Sequence, residues 1–184
     1  MTDWLATSIE GVWRRHDIVY ADTRGSFTEL WRDSLTARFG ESPMAQANLS
    51  RSVGGVLRGM HFHLHQADLW LLIEGRAVAA TTDVRPVFAG EPAITQLIEM
   101  EPGDALFIPR RVAHGFLALT DMALVYLVSA EYDGSDELGF AWDDPAVGIQ
   151  WPNTPAIISD RDRSNPSLRE LIATLPHAAQ SDGA

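Results

Sequence analysis

The sequence predicts an all-β fold, a sandwich or barrel of short strands, and three observations carry that expectation. From residue 53 onward, apolar runs rich in Val, Leu, Ile and Trp recur: Val56–Leu57, Leu69–Ile73, Ala77–Thr82, Ile94–Met100, Ala105–Ile108, Gly115–Leu119 and Leu124–Val128. Turn formers punctuate them at Gly75, Arg85-Pro86, Gly90, Pro102-Gly103, Pro109 and Asp121. That spacing, about 8–12 residues, is the rhythm of short strands joined by tight turns. The chain also lacks any internal repeat or low-complexity block.

The flanks read differently. Gly11 to Tyr20 reads as one strand and Asp22-Thr-Arg-Gly25 as a turn, while Thr28 to Phe39 has the composition of one short helix. After Trp151-Pro152 the chain turns polar; Ser167 to Leu175 reads as a short helix, and His177 to Ala184 is expected to fray.

A chain of 184 residues suits one domain over 1–184, with a core at about 11–152 and a C-terminal extension at about 153–184. That length buries roughly 70% of the unfolded surface. Hydrophobic residues at 46% and charged residues at 21% are ordinary for a soluble globular protein. A formal net charge of -11 argues against nucleic acid or an anionic membrane as partner, although local arginines leave an anionic small substrate open. No apolar stretch is long enough to span a bilayer. The start, MTDWLATSIEGVWRR, has neither the basic beginning nor the apolar run of a signal peptide, so a cytoplasmic location is expected. There is no cysteine, which removes disulfide and thiolate chemistry. All 14 basic residues are arginine, so Schiff-base and lysine acid–base catalysis are excluded.

The chemistry is concentrated in Gly59-Met-His-Phe-His-Leu-His65. Residues two apart on a strand face the same side, so His61 and His63 can enter one cavity while Phe62 packs on the other face. An H-x-H pair alone arises by chance on a strand, with His65 simply facing water. Here it stands in the longer pattern G-x5-H-x-H-x4-D-x6-G from Gly55, followed by G-x5-P-x4-H from Gly103 to His114. These two motifs resemble the signatures of the cupin superfamily, barrels of the double-stranded β-helix or jelly-roll type. The resemblance implies a divalent metal, Zn, Fe, Ni, Co or Mn, held by His61, His63, Asp68 and His114, with open positions for substrate. Asp68 stands where a glutamate is commoner, and Arg111 where a glycine is usual.

Longer segments sharpen the likeness. Asp22-Thr-Arg-Gly-Ser-Phe-Thr-Glu29, Gln46-Ala-Asn-Leu-Ser50, Val56-Leu-Arg-Gly-Met-His-Phe62, Ala113-His-Gly-Phe116, Trp142-Asp-Asp-Pro145 and Gly148-Ile-Gln-Trp-Pro152 resemble the dTDP-4-dehydrorhamnose 3,5-epimerase family, in its order and at its spacings. The resemblance implies a homodimeric cupin acting on nucleotide-linked 4-keto-6-deoxyhexoses in deoxysugar or secondary-metabolite biosynthesis. A 4-keto group acidifies the C3 and C5 hydrogens, so epimerisation needs a base, a group that stabilises the enolate oxygen, and an acid. The resemblance assigns His61 as base, Asp162 as its orienting carboxylate and Tyr132 as acid. It assigns Arg24 and Arg58 to the charged nucleotide or sugar, where a planar guanidinium suits phosphate. Phe27 and Glu29 would reach across the dimer toward the nucleotide, Gln46 and Asn48 would line the pocket, and His114 would stand beside the sugar.

Two positions depart from the family. His63 replaces a residue that is not a ligand, and Asp68 replaces a lysine that helps stabilise the enolate. A carboxylate there opposes a developing oxyanion, and each lost donor costs on the order of 3 kcal/mol. Both changes move toward a metal set, yet a metal-bound His61 could not also abstract a proton. Three functions follow as alternatives: an epimerase of one or two carbons, without cofactor if it behaves as an ordinary family member; a metal-dependent cupin such as a cyclase, dehydratase, isomerase or dioxygenase; or a non-catalytic ligand-binding cupin.

Overall fold

The structure, a computed structural model, describes residues 3–175 except 18 and 42, so the expected fraying at 177–184 lies outside the described residues. Fourteen strands are formed among the described residues. One six-stranded sheet has the order β1-β2-β10-β7-β12-β5, from Leu5–Ala6 (β1), Trp13–His16 (β2), Asp104–Ile108 (β10), Asp68–Glu74 (β7), Met122–Val128 (β12) and Gln46–Ser52 (β5). The second runs β13-β6-β11-β8-β9, from Leu138–Gly139 (β13), Val56–Phe62 (β6), Val112–Ala118 (β11), Ala77–Asp83 (β8) and Ile94–Met100 (β9). Ile157–Ile158 (β14) adds to β6 in parallel, and Val19–Asp22 (β3) with Gly25–Thr28 (β4) forms a separate hairpin. The result is the all-β jelly-roll barrel of the cupin type.

Strand alternation sets what faces the interior. On β7, Trp70 and Leu72 join an inner cluster with Ala77, Ala79, Leu106, Ile108, Val112, Phe116 and Leu124 from both sheets. The alternate residues Leu69 and Leu71 pack outward with Trp4, Phe107 and Leu127. Buried on both faces, β7 reads as a continuous apolar run rather than an alternating one. The second sheet is covered from outside by the C-terminal segment, where Phe62, Met60 and Ala113 pack with Phe140, Ile149, Leu168 and Leu171. The family segments hold that cover in place. The Asp144 carboxylate accepts from the amides of Leu168 and Ala146, and Trp151 Nε1 donates to the Trp142 carbonyl.

The strands and turns from β6 to β12 match the sequence expectation closely, and the 22–25 turn closes the β3–β4 hairpin. Two N-terminal expectations are corrected. The strand expected over Gly11–Tyr20 is two strands. Asp17 turns the chain between them, its amide bonded to the Gly103 carbonyl and its carboxylate 2.6 Å from Arg15 Nε, so β2 joins β10 while β3 leaves for β4. The helix expected over Thr28–Phe39 is reduced to Asp33–Thr36 (α1) and a 3-10 turn at Ala37–Phe39. Arg32 is extended there, and Leu30, Trp31 and Phe39 spread over the outer apolar cluster instead of sharing one helical face. At the C-terminus, Asp160–Arg163 (α2) precedes Leu168–Thr174 (α3), whose Ser167 cap forms a reciprocal capping box with Glu170.

Candidate active site

The barrel is open at the end where β6 finishes and β7 begins. A cavity of about 460 Å³ lies there, within the size range of small-ligand sites. Its wall includes Gln46, Asn48, Arg58, His61, His63, Asp68, Trp70, His114, Tyr126, Tyr132, Glu137, Arg161 and Asp162.

A β-bulge aims the histidines. His114 pairs with His61 across β11 and β6, but Phe116 pairs with Arg58, so Gly59 and Met60 together oppose Gly115. The extra residue switches parity. Val56 and Arg58 face inward before it, and His61 and His63 face inward after it, while Met60 and Phe62 pack outward. The two glycines are required by their closeness: a Cβ on Gly59 would stand 2.6 Å from the Gly115 Cα, at a positive φ of 134°. Arg111, at the position where the cupin motif carries glycine, takes a left-handed φ of 64° and donates its amide to the His63 carbonyl at 2.8 Å.

His61 and Asp162, 101 residues apart, meet at 2.6 Å between Nε2 and Oδ1. Asp162 arrives because β14 docks beside β6 and Ser159 caps α2, its hydroxyl accepting from the Asp162 amide. The other carboxylate oxygen accepts the Gly59 amide of the bulge at 3.3 Å. Burial alone would raise the Asp162 carboxyl, but the bond to His61, the His61 charge, the Gly59 amide and Ser159 hold it below its ordinary value. A carboxylate only accepts, so it fixes the His61 proton on Nε2 and leaves the lone pair on Nδ1.

The other two histidines are held the opposite way. His63 Nδ1 donates to the Asp136 carbonyl at 2.8 Å, and His114 Nδ1 donates to the Val112 carbonyl at 3.2 Å. Each therefore keeps its lone pair on Nε2. His114 Nε2 lies 3.6 Å from Asp68 Oδ2. Burial drives the His114 pKa down to about 4, against a smaller opposing pull from the Asp68 charge. Asp68 is itself bonded, accepting from Gln66 Nε2 at 2.8 Å and Trp70 Nε1 at 3.3 Å.

The four-residue metal set expected from the motif is corrected. Ligand atoms of His63, Asp68 and His114 lie within 4.8 Å of one another, and His61 is not among them. Its Nε2 is bonded to Asp162, and His61 is left out by distance, since no ligand atom of His61 joins that group.

The remaining expected residues divide. Arg58, Gln46 and Asn48 line the cavity; Arg58 donates to Ser52 Oγ, and Gln46 to Asn48 Oδ1. Tyr132 stands at the rim, 70% exposed, its amide donating to Gln46 Oε1. Arg24, Phe27 and Glu29 do not line the cavity: Arg24 pairs with Asp22 in the exposed hairpin, and Phe27 is 67% exposed beside Tyr20. Sequence reasoning missed Glu137, Arg161, Tyr126 and Asp136. Arg161 donates to Glu137 at 2.6 Å. Burial alone would raise the Glu137 carboxyl, but Arg161, the Tyr132 hydroxyl and His61 hold it below its ordinary value. Burial, reinforced by the charges of Asp68 and Glu137, raises the Tyr126 hydroxyl and keeps its proton on. The Asp136 carboxylate receives the Leu64 and His65 amides and so fixes the loop behind His63. Arg161 is the immediate neighbour of Asp162 and could have been found from it. The others carry no motif signal.

A bulged barrel with a carboxylate-held histidine in its mouth defines a cupin equipped to move a proton. A sequence profile of the dTDP-4-dehydrorhamnose 3,5-epimerase family matches residues 6–170, and the chain belongs to that family. It is 37% identical over 176 residues to dTDP-4-dehydrorhamnose 3,5-epimerase of Methanothermobacter thermautotrophicus, covering 91% of this chain and 95% of the relative. Its structure is similar to NovW, a 4-keto-6-deoxy sugar epimerase from the novobiocin cluster of Streptomyces spheroides, with TM-score 0.84, 30% identity and coverage of 98% and 96%. It is similar also to ChmJ, a 3'-monoepimerase of Streptomyces bikiniensis solved with dTDP-quinovose, with TM-score 0.81, 32% identity and coverage of 96% and 97%. These relatives are isomerases acting on carbohydrates. No helix among the described residues is long and apolar enough to cross a membrane.

Proposed function

We propose that this protein epimerises a dTDP-linked 4-keto-6-deoxyhexose at C3, C5 or both. The observation that carries the reading is the His61–Asp162 pair at 2.6 Å inside the barrel mouth. His61 Nδ1 takes the proton that the 4-keto group acidifies, and Asp162, ionised by its surroundings, stabilises the imidazolium that forms. Tyr132, whose hydroxyl is bonded to Glu137, returns a proton to the enolate carbon. Its exposure at the rim suits a group that meets substrate only when the cavity is filled.

Arg58, Gln46 and Asn48 present a cation and amides to the sugar or nucleotide from the cavity wall. Arg24, Phe27 and Glu29 lie outside the cavity of their own chain, which fits service to a neighbouring subunit in a homodimer of a cytoplasmic deoxysugar enzyme. His63, Asp68 and His114 take no part in the proton transfer, because their free nitrogens and carboxylate face one another.

The test is incubation with dTDP-4-keto-6-deoxyglucose in deuterium oxide, followed by proton NMR. Loss of the C3 or C5 proton signal at a rate proportional to enzyme is expected. A substrate that keeps both protons would contradict the reading.

A further inference from the structure

We infer that His63, Asp68 and His114 form a binding site for one divalent transition-metal ion, separate from the His61–Asp162 base. The geometry begins with tautomers. A carbonyl oxygen cannot donate, so the bonds to Asp136 and Val112 fix both Nδ1 atoms as N–H and turn two Nε2 lone pairs into the cavity. They meet a third acceptor, Asp68, and one of these acceptor pairs stands only 3.6 Å apart with no hydrogen available between them. Three lone-pair donors gathered within 4.8 Å in a buried place call for a cation.

The His114–Asp68 distance fits one. Two ligand atoms bound tetrahedrally at about 2.1 Å from zinc stand roughly 3.4 Å apart, close to the observed His114–Asp68 separation. The supports that metal sites use are present as well. Each imidazole is held through its other nitrogen, and the carboxylate is hydrogen-bonded by Gln66 and Trp70. Two imidazoles and one carboxylate with open positions suit zinc, iron(II), cobalt or nickel. The cavity surface supplies the open side.

The site stands on this geometry alone; its role rests on the epimerase reading. A chain without lysine places a carboxylate beside the cavity where an enolate oxygen develops, and a divalent ion on that carboxylate reverses the local sign. Because His61 is not a ligand, the ion and the base can work in the same cavity.

Chelator-treated protein titrated with zinc by calorimetry is expected to bind one ion per chain. Loading with cobalt is expected to give the visible absorption of nitrogen-ligated Co(II). His63→Ala and Asp68→Ala should each weaken zinc by more than about 100-fold, since even the partners that only orient ligands are worth 10–100-fold. His61→Asn should leave affinity unchanged. Should Asp68→Ala unfold by circular dichroism, Asp68→Asn replaces it. Absence of one-to-one binding, binding that survives both substitutions, or binding lost in His61→Asn would each overturn the site. Deuterium exchange on the same samples separates the two proposals: binding without exchange removes the epimerase reading and keeps the site, while exchange without binding does the reverse.

Discussion

The two sides of the barrel mouth hold histidines in opposite senses. On one side a buried carboxylate takes the Nε2 proton of His61, leaving Nδ1 basic. On the other, backbone carbonyls take the Nδ1 protons of His63 and His114, leaving Nε2 free beside Asp68. The residue types are the same; the hold on each ring decides which nitrogen is free, and what stands beside that nitrogen decides its role, since only His63 and His114 have theirs near Asp68. A bulge of one residue places both kinds in a single cavity.

The largest effect should come from breaking the carboxylate-held side. His61→Asn is expected to lower the epimerisation rate by roughly 10³-fold, as loss of a positioned general base does, with a smaller loss of thermal stability from the buried Asp162 left without its partner. Measured kcat and melting curves would show whether rate and stability separate in this way.

The carbonyl-held side is expected to appear in the pH dependence of stability. His114 stays neutral in the folded state down to about pH 4, whereas an unfolded histidine protonates near 6.5. The unfolded state then binds more protons across that window, so metal-free protein loses stability as pH falls from 6.5 to 4, by roughly 3 kcal/mol. Asp162 has the depressed carboxyl, so its contribution persists through this window and is lost only on further acidification, below the ordinary carboxylate pKa. Denaturant titrations of the protein and of His114→Gln should differ between pH 4 and 6.5, with the variant flatter.

Asp162→Asn keeps the shape but removes the negative charge beside His61 and lets an amide N–H compete for its Nε2. Activity should fall by about 10²-fold, less than with His61→Asn, since the imidazole remains but is less well held and less basic. Zinc affinity should not change. The smallest effect is expected at Ser167, whose cap starts the α3 helix on the segment that carries Asp162. Ser167→Ala should cost about 1 kcal/mol by chemical denaturation, and zinc binding should be unaffected.

Much of this was legible in the sequence, for a physical reason. Strands β7 to β11 alternate or run apolar and end at or near Gly, Pro or Asp, so period and punctuation agree. The parity of His61 and His63 followed from strand geometry, and the pairing of Asp162 with His61 from what the family resemblance implied. The metal set was over-counted because spacing shows which residues can share a face, not how far apart their ligand atoms stand. Tyr126 and Trp70 escaped notice because an inward aromatic at the mouth has the same two-residue spacing as one in the core. The helix expected at Thr28–Phe39 failed because Leu30, Trp31 and Phe39 are drawn to a sheet face that local composition does not reveal.

The division of the mouth is tested most directly by nitrogen-15 NMR of the metal-free protein at neutral pH, with each histidine assigned. His61 should carry its proton on Nε2, and His63 and His114 should carry theirs on Nδ1. One common tautomer for all three rings would contradict the account, because the base and the ligand pair would then no longer be distinct.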